Sequence, residues 1–143
     1  YFRGEKDEKN AVELWHYNGY NESKGGGPMT EKVSTELRQI CRIITETVEV
    51  EKIYLFGSHA YGTPRQDSDY DLCVIIPDGN IRPIDVSKKL HWELHKERKT
   101  PLDILVYRAK DFQQRKAAPM MERKIEREGV LLYEQQLFVP RVV

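Results

Sequence analysis

The sequence contains few cysteines and no long apolar segment, and each shortage excludes a class of protein. Cys41 and Cys73, its two cysteines, have apolar neighbours and no Cys-x-x-Cys spacing, so we expect free, buried thiols in a reducing compartment and a cytoplasmic protein. The four histidines show no ligand spacing with them, which argues against zinc. Since no run of about 18 apolar residues occurs, no membrane-spanning helix is expected, and no signal-peptide pattern is visible near residue 1.

Neither sign of charge is in excess. Lysine plus arginine number 23 and aspartate plus glutamate also number 23, which gives a formal net charge of +0 at pH 7. Broad electrostatic binding of nucleic acid is therefore not expected, although a local basic patch is compatible with these counts. With 143 residues, of which 39% are hydrophobic, the chain has the size and apolar content of one domain.

Residues 1–28 differ in composition from the rest of the chain. They are polar and charged and end in a Gly-Gly-Gly-Pro run, which is typical of a linker. We interpret them as an extension of a domain formed by residues 29–143. Two hypotheses stay open, namely leader sequence before a native start at Met29, or a partner-binding peptide that carries Trp15, Tyr17 and Tyr20. A segment this polar is expected to be disordered unless it packs against another surface.

Hydrophobic periodicity predicts alternating helices and strands after residue 29. Apolar residues at helical spacing follow Thr30, a good N-cap, while β-branched and aromatic runs that stop at glycine or proline are typical of strands. The predicted elements are a helix at 30–48, strands at 52–56 and 70–76, a helix at 83–98, a strand at 102–107, two short helices within 111–127, and an apolar run at 130–133. This order predicts an α+β fold, with a small mixed β-sheet and helices packed on one face.

Asp69 and Asp71 are the first residues that indicate a functional site. Side chains alternate along a strand, so both carboxylates are expected on one face at the start of the strand at 70–76. Two adjacent anions repel each other unless a cation lies between them, and carboxylate oxygens together with phosphate oxygens suit Mg²⁺. An isolated Asp-x-Asp pair is more often two solvated acids, so a metal site here requires support from other residues.

Gly57, Ser58 and Asp103 supply that support. A glycine at the end of the first predicted strand lets a phosphate approach the backbone. A short helix beginning at Ser58 would direct free N–H groups at an anion, although a serine also suits a plain helix cap. Asp103 lies in an apolar run, where a buried carboxylate is costly unless it is paired or binds metal. A solvent-exposed aspartate after Pro101 is the alternative.

The spacing of these residues resembles the signature of the DNA polymerase β-like nucleotidyltransferase superfamily. The Gly-Ser pair at 57–58 is followed, after ten residues, by Asp69 and Asp71. The segment 125–134 is similar to the end of the minimal, stand-alone members, and the resemblance covers residues 29–134. Further positions that agree with the family are Gly62, Ser68, Leu72 and, as the third carboxylate on a later strand, Asp103.

The sequence departs from many antitoxin-type members of this family at one position. Those members carry arginine three residues after the serine, whereas this chain has Tyr61 there and His59 directly after Ser58. A cationic contact to phosphate is then either absent or made by another residue, such as Arg65. We interpret His59 as an exposed turn residue.

The resemblance implies nucleotidyl transfer from an NTP, with ATP as the expected donor, to a hydroxyl acceptor. Asp69, Asp71 and Asp103 would be the catalytic residues and would hold two Mg²⁺ ions, with Asp103 also taking the proton of the acceptor. Gly57 and Ser58 would hold the terminal phosphates. Larger relatives carry a second domain for the acceptor, so we expect a second copy of the chain or another protein to complete the site.

Minimal relatives commonly pair with a helical HEPN-domain toxin and transfer AMP onto its tyrosine, so the resemblance also implies a role in a toxin–antitoxin module. Two alternatives from other classes stay open. One is an adenylyltransferase that acts on a small molecule such as an aminoglycoside, and the other is a non-catalytic domain that binds a nucleotide or a partner protein. The intact set of carboxylates argues against the second.

Overall fold

The structure, a computed structural model, describes residues 11–12, 31–61, 69–96 and 101–135. In chain order, the elements in these ranges are β1 (Ala11–Val12), α1 (Glu31–Thr47), β2 (Lys52–Phe56), α2 (Ser58–Tyr61), β3 (Tyr70–Ile76), α3 (Pro83–His95), β4 (Leu102–Arg108), α4 (Ala109–Lys116), α5 (Met121–Glu128) and β5 (Val130–Gln135). None of these helices combines the length and the apolar character required to cross a membrane.

The described strands form one mixed sheet in the order β1-β5-β2-β3-β4. Neighbouring strands are antiparallel except β3 and β4, which are parallel. Two parallel strands require a crossover connection, and α3 lies in the segment that joins β3 to β4. This arrangement confirms the predicted α+β fold with a small mixed sheet.

Helices cover both faces of the sheet. Alternate residues of β3, such as Leu72 and Val74, belong to the larger core cluster together with residues of α1 and α3. Cys73 and Ile75 point the other way and pack with Phe112 of α4 and with α5. The sequence pattern predicts all helices on one face of the sheet. In the structure, α1 and α3 share one face, whereas α4 and α5 lie on the other. The physical reason is that β3 is apolar on both of its faces, so each face must be covered.

The two long helices follow the predicted apolar spacing. Each fully buried aliphatic side chain stabilises the fold by about 1.5–3 kcal/mol relative to an exposed one, so these helices anchor the larger cluster. α3 begins with Pro83, which suits the first helical position, and ends at His95; position 98 lies outside the described residues. The buried residues that carry the spacing are Leu37, Ile40 and Ile44 in α1 and Val86, Leu90 and Leu94 in α3.

Neither cysteine forms a disulfide and both are buried, which confirms the prediction for these thiols. Cys41 lies in the larger core cluster and Cys73 in the smaller one. Burial is the main reason why the pKa of the Cys73 thiol is raised, and the charge of Glu122 adds to it. Since the thiolate is the reactive form, Cys73 is an inert packing residue.

The apolar run at 130–133 forms β5, although the sequence pattern alone does not assign it to a strand. β5 lies inside the sheet between β1 and β2, and Leu132 is fully buried. β1 pairs with β5, with Ala11 opposite Gln135, so two residues of the N-terminal extension take part in the sheet. The other residues of the extension, including its aromatic residues and its Gly-Gly-Gly-Pro run, lie outside the described ranges, as does Thr30.

Candidate active site

The turn after β2 has the form that the Gly-Ser pattern predicts. β2 ends at Phe56, and Gly57 has a φ of 76°, a left-handed conformation that suits a residue without a Cβ. α2 then begins at Ser58. The amide of Ala60 donates a hydrogen bond of 3.0 Å to the carbonyl of Gly57. Gly57 and Ser58 therefore lie at the end of a strand inside the sheet, next to β3.

Asp71 and Asp103 lie opposite one another on β3 and β4. The parallel register pairs Asp71 with Asp103, and the antiparallel register on the other side pairs Asp71 with Phe56 at the end of β2. Residues in register on neighbouring strands point to the same face of a sheet. That face is the one on which Cys73 packs against α4 and α5. Asp69, one residue before β3, is exposed.

The Asp71 carboxyl has a raised pKa, and the causes of this shift locate its neighbours. Burial is the largest cause, the charges of Asp103 and Asp69 raise the pKa further, and the charge of His59 lowers it. Like charges shift a carboxyl pKa strongly only at short range. The Asp71 carboxyl is therefore within electrostatic range of both Asp103 and Asp69.

Asp103 is exposed, so the expectation of a buried carboxylate at this position is wrong. β4 is an edge strand of the described sheet, and the Asp103 side chain lies on the face opposite to that of Leu102 and Ile104, which are in the larger core. The alternative hypothesis, a solvent-exposed aspartate after Pro101, is correct about the exposure of Asp103. Its position opposite Asp71 follows from strand pairing, which the sequence does not display.

Gly57 and Asp71 are in close contact across β2 and β3. A Cβ at position 57 would overlap the Oδ2 atom of Asp71 and would lie 3.0 Å from its Cγ. The glycine thus leaves the space that the carboxylate occupies. The backbone of the Gly-Ser turn consequently lies directly beside the Asp71 carboxylate.

The oxygen donors of this site fit a hard divalent cation such as Mg²⁺. Burial raises the pKa of Asp71, and the charges of Asp103 and Asp69 raise it further; a bound cation would stabilise the charged form of this carboxyl. Within the described ranges, however, no three acidic, histidine or cysteine side chains form a closed metal-binding group. An ion held here would need further oxygen ligands from a substrate phosphate and from water, and Mg²⁺ in phosphate-binding sites has this mixed coordination.

Sequence reasoning missed the residues on the other side of the acidic cluster. Tyr70, between the two aspartates, is 2% exposed, and its hydroxyl donates a 2.9 Å hydrogen bond to Glu36 Oε2 of α1. The ring centroid of His59 lies 4.5 Å from that of Tyr70, with an interplanar angle of 45°. His59 is half-buried, so its interpretation as an exposed turn residue is wrong. No sequence pattern links positions 36, 59 and 70, because their proximity depends on how α1 and α2 pack on β3. Arg65 lies outside the described residues.

A comparison of the sequence with family profiles identifies the class of protein to which this domain belongs, that of the nucleotidyltransferases. The profile described as Polymerase beta, Nucleotidyltransferase matches residues 38–137. Since the match extends over more than half of the chain, the chain belongs to the polymerase β nucleotidyltransferase family. This finding confirms the resemblance identified in the sequence. No curated protein matches the chain in sequence.

Several solved structures are similar to this chain at low identity. A Sulfolobus solfataricus protein assigned as a nucleotidyltransferase is 15% identical, with a TM-score of 0.48 and coverage of 70% of this chain and 78% of that one. A toxin–antitoxin with AMP-PNP is 24% identical, with a TM-score of 0.41 and coverage of 69% and 73%. A mutant of the toxin–antitoxin MntA-HpeT is 20% identical, with a TM-score of 0.44 and coverage of 72% and 74%. Likenesses this distant assign neither a substrate nor a partner to this chain.

Proposed function

We propose that this chain is a Mg²⁺-dependent nucleotidyltransferase that transfers AMP from ATP to a hydroxyl acceptor. The observation that carries the proposal is the register of β3 and β4, which sets Asp71 opposite Asp103. The same carboxylate of Asp71 touches the glycine of the Gly-Ser turn. Membership of the family supports nucleotidyl transfer in general, while the choice of Mg²⁺, ATP and AMP belongs to the proposal.

Each candidate residue has its own role in the proposed reaction. Asp69, Asp71 and Asp103 would hold two Mg²⁺ ions, which when bound neutralise the triphosphate and make the acceptor hydroxyl more acidic. Gly57 and Ser58 offer a backbone N–H and a hydroxyl to the terminal phosphates. Asp103 accepts the proton of the acceptor hydroxyl. The acceptor oxygen bonds to the α-phosphorus, the bond from that phosphorus to the bridging oxygen breaks, and pyrophosphate leaves.

The acceptor that we propose is a tyrosine of a helical HEPN-type toxin, paired with this chain in a toxin–antitoxin module. This part rests on the resemblance of the sequence to minimal antitoxin-type relatives. The exposure of Asp103 on an edge strand agrees with it, because a side chain of a large partner reaches this carboxylate from the surface. A second copy of the chain is the other source of an acceptor site.

Transfer from ATP labelled at its α-phosphate tests the proposal. The protein is incubated with Mg²⁺, the labelled nucleotide and a co-encoded helical protein, and both protein labelling and pyrophosphate release are measured. The wild-type chain is expected to label a tyrosine of the partner, and Asp71→Asn is expected to label nothing. Asp85→Asn is the matched control, because Asp85 on α3 is exposed and pairs with Arg82 at 2.9 Å; it should retain full transfer.

The same assay distinguishes the alternatives. Label on a small hydroxylated acceptor such as an aminoglycoside, with none on the protein partner, would replace the protein acceptor with a small molecule. Binding of ATP with Mg²⁺ in calorimetry, without pyrophosphate release on any acceptor, would contradict an enzymatic role and leave a nucleotide-binding domain. Parallel reactions with GTP, CTP and UTP test the proposed preference for adenine.

A further inference from the structure

We propose that Tyr70 is a positioning residue that sets the geometry of the candidate metal site through its side-chain hydroxyl, an inference that rests on the proposed function. Tyr70 lies between Asp69 and Asp71, and side chains alternate along a strand. Its ring therefore points to the opposite face of the sheet, where it belongs to the larger core cluster. Whatever fixes the Tyr70 ring also constrains the backbone of Asp71, the next residue of β3, whose carboxylate leaves toward the opposite face.

The Tyr70 side chain connects β3 to two helices. Its hydroxyl donates to Glu36 Oε2 of α1 at 2.9 Å. Its ring lies against the ring of His59 at a centroid distance of 4.5 Å, and His59 directly follows Ser58 in α2. The side chain thus joins the start of β3 both to the body of the core and to the Gly-Ser turn.

The Tyr70 backbone connects β3 to the strand that carries the third carboxylate. Its amide donates to the carbonyl of Pro101 at 3.0 Å, and Tyr70 is in register with Leu102. Asp103 is the next residue along β4. Tyr70 therefore contacts the elements that carry the Gly-Ser turn and Asp103, while its own strand carries Asp71.

The hydroxyl of Tyr70 holds its ring in one position, because it is hydrogen-bonded to Glu36 of α1. A hydroxyl on a residue that is 2% exposed requires a protein partner, and a hydrogen bond to a carboxylate is stronger than one to a neutral acceptor. The Tyr70 hydroxyl makes this bond to Glu36 Oε2 at 2.9 Å. A phenylalanine would fill the same space without holding the ring to α1.

The test is Mn²⁺ binding to the full chain in the presence of α,β-methylene ATP. The electron paramagnetic resonance signal of the free ion measures how much Mn²⁺ remains unbound. All variants are compared at a temperature at which circular dichroism shows them folded, so a loss of global stability alone does not change the result. Tyr70→Phe is expected to raise the Kd for Mn²⁺ about tenfold, which is typical of residues that orient metal ligands. Glu36→Gln keeps an acceptor oxygen and should retain near wild-type affinity, whereas Glu36→Leu should match Tyr70→Phe.

Tyr54→Phe is the matched control. Tyr54 is a buried tyrosine of β2 in the smaller core cluster, so its variant should leave Mn²⁺ affinity unchanged. An unchanged affinity in Tyr70→Phe would overturn the positioning role, and so would an equal loss in Tyr54→Phe. A wild-type chain that binds no Mn²⁺ would contradict the proposed function, and the positioning role with it.

Amide hydrogen exchange tests the same inference without a metal. In Tyr70→Phe the amide at position 70, which donates to Pro101, is expected to exchange several-fold faster, because the start of β3 opens more readily. The amide of Val74, farther along β3, should keep its wild-type rate. Unchanged exchange at position 70 would count against the inference even if metal affinity fell.

Discussion

The Oδ2 atom of Asp71 occupies the position where a side chain at Gly57 would begin. This relationship makes the glycine a structural requirement of the acidic cluster as well as of the turn. Its φ of 76° is a second and independent reason for glycine, because the left-handed conformation is unfavourable for residues with a Cβ. The two reasons can be separated by experiment.

Gly57→Ala is expected to lower both stability and the affinity for Mg²⁺ with nucleotide. The left-handed backbone alone costs about 1–2 kcal/mol, and the new Cβ displaces the Asp71 carboxylate. Urea unfolding and calorimetry measure the two effects. Gly79→Ala is the matched control, because Gly79 also has a positive φ, of 155°, but a Cβ at this position would meet no other atom within 4 Å. It should lose stability alone, and wild-type affinity in Gly57→Ala would contradict this account.

Asp71→Asn is expected to stabilise the metal-free protein while it abolishes transfer. The pKa of Asp71 is raised in the folded state, so the contribution of this carboxyl to stability is complete below its unfolded pKa and is lost as the pH rises through the folded pKa. At neutral pH the wild type therefore carries a penalty, of about 0.5 kcal/mol because solvent screens a partly exposed charge. The variant should have the higher Tm in EDTA at neutral pH.

Two conditions serve as controls for the Asp71→Asn measurement. Near pH 3, below the ordinary aspartate pKa of about 3.9, the wild-type carboxyl is protonated and the difference in Tm should vanish. With Mg²⁺ and nucleotide added, the wild type should gain stability and the variant should not. A variant that is less stable than the wild type in EDTA at neutral pH would contradict the penalty that burial and the neighbouring charges impose on the Asp71 carboxylate.

Glu122 makes the stability of α4 and α5 depend on Arg115. Glu122 is 2% exposed and accepts a 3.3 Å hydrogen bond from Arg115 Nη1. Arg115→Met leaves this buried carboxylate without that partner and is expected to cost about 2 kcal/mol in urea unfolding. Replacing Glu122 with leucine in the same chain should recover most of the loss. If the double variant loses as much stability as the two single variants together, Arg115 and Glu122 are not coupled.

The thiols of Cys41 and Cys73 are expected to be unreactive in the folded protein. Cys41 is 3% exposed and Cys73 is fully buried, and burial raises the pKa of the Cys73 thiol, so little thiolate is available for attack. With a disulfide reagent near pH 8, both thiols should react only after denaturant is added. Cys73→Ser should then show one reactive thiol instead of two. Rapid reaction in native buffer would refute the burial of these residues.

Local sequence pattern is sufficient to predict β2 and β3 and the spacing of the acidic pair. Both strands have the predicted bounds, because their apolar runs end at a glycine or a proline. The direction of Asp71, opposite to that of Tyr70, follows from alternation along β3, which is a local property. The Gly-Ser turn is predictable for the same reason, since its backbone conformation depends on one glycine.

Pairing and packing decide what the sequence does not reveal. β5 cannot be assigned from its pattern because a short apolar run fits a strand or a helix, and its partner β2 lies far away in the chain. The exposure of Asp103 depends on β4 being an edge strand. The contact of Tyr70 with Glu36 joins residues separated by 34 positions, and no periodicity in the sequence predicts it. α4 and α5 cover the second face because alternate side chains of β3 are apolar there as well.

The place of β5 between β1 and β2 has a consequence for the nascent protein. β2, β3 and β4 emerge from the ribosome well before β5, so one side of β2 presents unpaired backbone N–H and C=O groups while translation continues. Such an edge is a template for pairing with other polypeptides, and non-local pairing of this kind is slow to form. Holdase chaperones are therefore expected to bind translation intermediates that stop short of residue 130, and to release them once β5 has been synthesised.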